Sequence, residues 1–195
     1  YVDDVVVKSR HVESLVNDLR LTFDNLRQYD IKLNPEKCVF GVPAGKLLGF
    51  IVSGRGIEAN PAKIRALSQL DIPKDLKQIQ KLTGCVAALS RFISRLGEKA
   101  LPLYRLLRCT EHFEWTDAAT AGLDEIKAIL ATNPVLAAPN TGEPMLLYIA
   151  ATHQVVSAVL IVERETDGHK LPLQRPVYYV STVLTPCKSR YPHYQ

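Results

Sequence analysis

Apolar positions set the elements along this chain. From Val12 they fall at 12, 15, 16, 19, 23 and 26, the i, i+3, i+4, i+7 stripe of an amphipathic helix. "DIKLNPEKCVFG" breaks that stripe, because Asn34-Pro35 is a turn signal and the residue before a proline resists the helical region. "KLLGFIVSGRGIEA" reads as two short strands around a turn at Gly54-Arg55-Gly56. Pro61 opens a helix ending near Leu70. A second helix runs from about Leu76 through 79, 82, 86, 89 and 93, with Asp75 as cap or first-turn acid. "LPLYRLL" predicts a short helix after Pro102, and Thr116 or Asp117 caps another that carries Leu123, Ile126, Ile129 and Leu130 before Asn133-Pro134 stops it. The period then changes to that of strands in "MLLYIAA", "VVSAVLIVE" and "RPVYYVS". At the start, "VVV" after Asp3 and Asp4 predicts a strand with the two acids in the turn leading into it. The fold class is therefore α+β.

A chain of 195 residues that is 47% hydrophobic can bury a core, which excludes a disordered tail. It shows no run near the length of a membrane span and no signal-peptide pattern, so neither membrane nor secretion is expected. Cys38, Cys85, Cys109 and Cys187 stand far apart without a C-x-x-C pair, which argues for free thiols over a zinc site or disulfide framework. The net charge of +4 is uneven: Lys63 to Arg108 holds ten Lys/Arg against three acids, a local +7 that leaves −3 elsewhere. Such a block is either a solvated helix face or the footprint of a phosphate-backbone partner.

Two vicinal carboxylates are common in turns for their solvation alone. Their chemical use is to hold hard divalent cations such as magnesium, whose paired sites drive phosphoryl transfer, although two acids seldom suffice without a third. "YVDD" followed by an apolar run resembles the Y-x-D-D signature of reverse transcriptases. The order "LNPEKCVFG", "LLGFIVSGRGIEANPAKIRAL", "LKQIQKLTGCVAALSRFISRLGEKALPLYRLL" and "FEWTDAATAGLDEIKAILATNPVLAAP" resembles the polyprotein of Gypsy-type LTR retrotransposons, particularly those of plants, over essentially all of the chain.

That resemblance implies an RNA-directed DNA polymerase as the parent activity, with residues 1–60 as the end of the palm, 61–110 as a helical thumb and 111–195 as a connection with a truncated, mixed-sheet ribonuclease H-like domain. It makes Asp3 and Asp4 magnesium ligands and catalytic residues. Lys37 would approach the nucleotide phosphates, and Leu48, Gly49 and Phe50 would form the primer grip. The basic block would clasp a template-primer duplex of RNA and DNA, with Arg91 and Arg95, one helical turn apart, as the contact pair. Deoxynucleotides and the rest of the polyprotein are the other implied partners, and the cytoplasm, a virus-like particle or the nucleus is the implied location. The third polymerase acid and the fingers lie upstream of Tyr1 in the family, so the chain reads as a fragment that is itself inactive. Gly84, inside a helix at a cost of about 1 kcal/mol relative to alanine, marks a close approach of either a neighbouring helix or nucleic acid, the helix being favoured.

The C-terminal strands depart from the family. Aligning "SAVL" with its "G-A-V-L" puts Ala150 where the first ribonuclease H aspartate belongs and Ser157 where glycine is usual. Alanine cannot ligate a cation, so the module is expected to be a degenerate ribonuclease H. His153 and His169 read as surface residues, and Trp115 with Phe113 as an apolar anchor before a helix rather than a base-stacking pair. The alternative from another class is a non-catalytic nucleic-acid-binding remnant of a decayed retroelement.

Overall fold

The computed structural model describes residues 4–9, 11–108, 113–166, 168, 170–185 and 187–190. Contacts divide the chain into two units, Tyr1–Gly54 and Arg55–Gln195.

In the first unit, residues 4–9 form no strand, contrary to the reading of "VVV". β-branched runs favour a strand only where another strand accepts their backbone bonds, and among the described residues none pairs with this one. Val5 and Val6 are exposed. A 3-10 turn at Val12–Ser14 leads into α1, Leu15–Gln28, which follows the expected stripe but buries none of its residues fully. Phe23 of α1 meets Phe40 edge-on at 6.3 Å between ring centroids. Asn34-Pro35 makes the expected break: Asn34 Oδ1 accepts from Glu36 N at 3.0 Å, capping a 3-10 turn over Pro35–Lys37. Strands β1, Ala44–Leu47, and β2, Phe50–Ser53, pair antiparallel with Leu47 opposite Phe50. The tight turn between them is Leu48-Gly49, which the sequence reading passed over.

In the second unit, β3, Gly56–Ala59, is followed by α2, Pro61–Ser68, and α3, Leu76–Ala87. Their caps obey the residue chemistry. Asn60 Oδ1 accepts from Ala62 N at 2.9 Å and Asp75 Oδ1 from Gln78 N at 2.7 Å. The helix expected to reach 93 stops at Ala87. A 3-10 turn at Ser90–Phe92 and left-handed Arg95 (φ 53°) follow, then α4, Leu96–Lys99, and α5, Leu101–Leu106. Helix α6, Asp117–Ala131, starts at the Thr116 cap and ends at left-handed Asn133 (φ 48°). Strand β4, Val135–Leu136, too short for a periodic signal, pairs antiparallel with β3. The last three strands lie where periodicity placed them: β5, Met145–Ala151, β6, Val155–Arg164, and β7, Leu173–Val183, an antiparallel sheet in the order β5-β6-β7.

The core of this unit joins helices to sheet. Leu67, Ile79, Leu82, Val86, Leu89, Phe92, Ile93, Leu103, Ile126, Leu130, Leu136, Val155 and Val162 are buried. Glycine makes two of the close contacts possible. A Cβ on Gly97 of α4 would stand 2.6 Å from Val155 Cγ1 and 2.7 Å from Ser181 Oγ, and one on Gly122 of α6 would stand 2.2 Å from the Lys99 carbonyl oxygen.

Candidate nucleic-acid interface

The residues read as a polymerase site are placed unequally. Asp3 lies outside the described residues, while Asp4 is exposed in irregular chain. Among the described residues no three His, Cys, Asp or Glu side chains converge as a metal site would need. The described part of the chain therefore does not fit a complete magnesium centre. Lys37 is exposed at the end of its 3-10 turn. Leu48 and Gly49 both have positive φ, 52° and 79°, so the two-residue turn follows the twist that antiparallel strands favour. Glycine adopts that geometry without strain, whereas leucine does not. The strained leucine is 48% exposed, so an apolar side chain is displayed at the hairpin tip rather than buried.

Arg91 and Arg95 do not share a helix face, because α3 has already ended. Arg91, half-buried in the 3-10 turn, lies over the Tyr178 ring with its guanidinium carbon 5.6 Å from the centroid. Arg95 is ion-paired with Glu98, and that carboxylate raises its pKa by hydrogen bonding and charge. Both cations have partners inside the chain. So do two more of the block: Lys99 Nζ donates to the Ser94 carbonyl at 3.0 Å and Arg105 to Gln154 Oε1 at 3.2 Å.

A different face carries the open surface. On α3, Ile79, Leu82, Thr83 and Val86 are buried, while Lys77, Gln80, Lys81, Gly84 and, just past its end, Ala88 are exposed. Those positions are spaced three and four apart and so share one stripe. A Cβ on Gly84 would meet nothing within 4 Å. The helix-packing explanation of this glycine is thereby overturned: no neighbouring element requires it. The stripe offers two ammonium groups, an amide and two minimal side chains, a surface on which another backbone can lie close. The 77, 80, 81, 84, 88 spacing was available in the sequence, but attention to charge alone favoured the arginines.

Ala150 sits on exposed β5 directly opposite Ser157 of β6. Ser157 is buried, and its hydroxyl shares a 2.7 Å hydrogen bond with Ser181, whose Oγ also accepts from Gly97 N at 2.8 Å. The hydroxyl that stands in place of the usual glycine thus ties β6 to β7 and α4. No acidic residue occurs anywhere on β5. His153 is exposed in the β5–β6 turn and His169 lies outside the described residues. Trp115 Nε1 donates to Thr120 Oγ1 at 2.8 Å, which fixes the indole against the first turns of α6 as an anchor. Cys38, Cys85 and Cys187 are free thiols, and Cys109 is outside the described residues. No helix among the described residues is long and apolar enough to cross a membrane.

Comparison with known proteins shows what the chain resembles. Residues 115–195 match the family described as "RNase H-like domain found in reverse transcriptase". Over 98% of its length the chain is 27% identical to the retrovirus-related Pol polyprotein from transposon opus of Drosophila melanogaster, and it covers 20% of that protein. It is 26% identical over 98% of its length to the transposon Tf2-3 polyprotein of Schizosaccharomyces pombe, covering 14% of it. The chain thus spans a fifth or less of these curated relatives. Its fold is shared with the foamy viral protease-reverse transcriptase in complex with dsDNA, at a TM-score of 0.75 and 20% identity over 95% of this chain and 38% of that one. The same protein in complex with RNA/DNA hybrid gives 0.74 and 19% over 94% and 24%. Neither the Gypsy type nor a plant origin is distinguished by relatives from a fly and a yeast. From Trp115 onward this chain matches the RNase H-like domain found in reverse transcriptases, and along nearly all its length it is similar to retrotransposon polyproteins.

Proposed function

We propose that the chain is the palm end, thumb and degenerate ribonuclease H-like module of a Gypsy-type retrotransposon reverse transcriptase, and that its own contribution is to hold an RNA–DNA template-primer duplex. The observation that carries this reading is the α3 stripe, where Gly84 opens onto empty space between Lys77, Gln80, Lys81 and Ala88. A glycine inside a helix costs about 1 kcal/mol relative to alanine, and among the described residues no contact accounts for it. Lysines beside so flat a strip supply charge for phosphates and room for sugars, which is binding without base reading. The similar folds solved with dsDNA and RNA/DNA hybrid support the same partner class. Leu48, Gly49 and Phe50 would meet the primer end, and Lys37 the nucleotide phosphates.

RNA-directed DNA synthesis on deoxynucleotides is the parent activity in this reading, with Asp3 and Asp4 as two of its carboxylates and magnesium as the ion class that suits them. Among the described residues no such centre is assembled, and β5 offers no acid for a ribonuclease H site. In this reading both activities are absent from the isolated chain. The test is Gly84→Ala. Helix propensity raises stability by about 1 kcal/mol, since the new methyl meets nothing, while affinity for an RNA–DNA hybrid falls severalfold. A variant more stable and equally tight on the hybrid would contradict the proposal.

A further inference from the structure

A cavity of about 220 Å³ opens in the second unit where α5 meets the β5–β6 turn and the end of β7. Leu101, Val183 and Leu184 form its apolar part, and Tyr104, Arg105, Arg108 and Gln154 bring the polar groups. Among the described residues no carboxylate lines it. The turn that presents Gln154 is held firmly: Leu184 N donates to the Gln154 carbonyl at 2.7 Å, and Thr152 Oγ1 accepts from Gln154 N at 3.3 Å and Val155 N at 3.0 Å. Gln154 Oε1 in turn accepts from Arg105 Nη2 at 3.2 Å, so the amide aims that guanidinium. Arg108, one turn further along the chain, is exposed. Burial raises the pKa of Tyr104, so its hydroxyl keeps its proton and remains a donor at neutral pH.

We propose that this cavity seats a backbone phosphate of a bound nucleic-acid strand, with Arg108 and Arg105 as its charged contacts and Gln154 as the residue that positions Arg105. The proposal rests on the nucleic-acid-holding reading above and adds a second contact, on the sheet side of the unit. Guanidinium groups match phosphate oxygens with paired donors, and the apolar wall lowers the local dielectric in which that attraction acts. Size decides between a phosphodiester and a whole nucleotide. At about 220 Å³ the cavity falls below the roughly 300–1,000 Å³ of small-molecule sites, which suits a phosphate with its ester arms entering from solvent. Positioning by Gln154 matters because a loose arginine loses much of each hydrogen bond to side-chain entropy.

The experiment measures binding of a labelled RNA–DNA hybrid by the full 195-residue chain across a salt series. Arg108→Gln should lower the slope of log affinity against log salt by about 1, one phosphate contact, and do so equally on a DNA duplex. Gln154→Ala should weaken binding severalfold while leaving Arg108 protected by hybrid from phenylglyoxal, an outcome that loss of fold would not give. Circular dichroism checks each variant, and Arg108→Lys, which keeps the charge, should restore most of the slope. An unchanged slope in folded Arg108→Gln, with Gly84→Ala still weakened, overturns the cavity alone. Failure of the wild-type chain to bind any duplex overturns both readings. Protection of Arg108 by a polyglutamate peptide or by inorganic phosphate, but not by hybrid, also overturns this one.

Discussion

Glu143 shows how one side chain closes a linker. Its two oxygens accept from Arg164 Nε and Nη2, each at 2.7 Å, and Oε2 also accepts from Asn140 N at 2.7 Å. Arg164 further donates to the Ala138 carbonyl at 2.7 Å, so the segment from 138 to 143 is tied to β6. These bonds, Arg164's first, lower the carboxyl pKa from 4.5 to about 2. A depressed carboxylate stabilises the fold above its unfolded value and ceases to do so as pH falls through the folded one. Stability from this group should therefore be complete above about pH 5 and disappear between there and pH 2. Urea midpoints across that range should show the wild type losing its advantage over Glu143→Gln as pH drops. Parallel curves would contradict the assignment. A glycine of α6 gives the opposite expectation to Gly84. Gly122→Ala sets a methyl 2.2 Å from a backbone oxygen, so it should cost about 1–3 kcal/mol, read as a lower urea midpoint at unchanged slope. A midpoint equal to wild type would mean that α6 and Lys99 are not so close.

At the scale of elements, much of the second unit was legible. Thr116 and Asp75 cap the helices their chemistry suggested, and β5 to β7 lie where the apolar runs placed strands. The end of α3 was not, for a physical reason. Leu89, Phe92 and Ile93 are all buried, so the apolar spacing continues across a break that the backbone has already made. Burial fixes which side chains face inward, and a 3-10 turn with left-handed Arg95 meets that demand as well as a helix. The shared face of Arg91 and Arg95 went with it, since it existed only on the longer helix. That β5 carries no carboxylate was legible because such a lack needs no geometry: the strand has none to offer in any register. A labelled hybrid should remain uncut by this chain in magnesium or manganese, and Ala150→Asp alone should leave it uncut. Metal-dependent cleavage by the wild type, abolished by chelation, would show that another acid does the work.

On the scale of the whole molecule, the charge block is spent in two ways. Arg91, Arg95 and Lys99 meet partners in the fold, whereas Lys77 and Lys81 stand exposed on the stripe that contains Gly84. Net charge therefore overstates the binding surface, and only contacts made by exposed cations should register in a salt slope. The most direct measurement is the salt dependence of RNA–DNA hybrid affinity for the wild-type chain, for Lys77→Ala/Lys81→Ala and for Arg91→Ala. The account predicts a slope lowered by nearly 2 in the double variant and unchanged for Arg91→Ala, on hybrids of unrelated sequence alike. Equal slopes for the wild type and the double variant would contradict it, because the α3 stripe would then carry no phosphate contact.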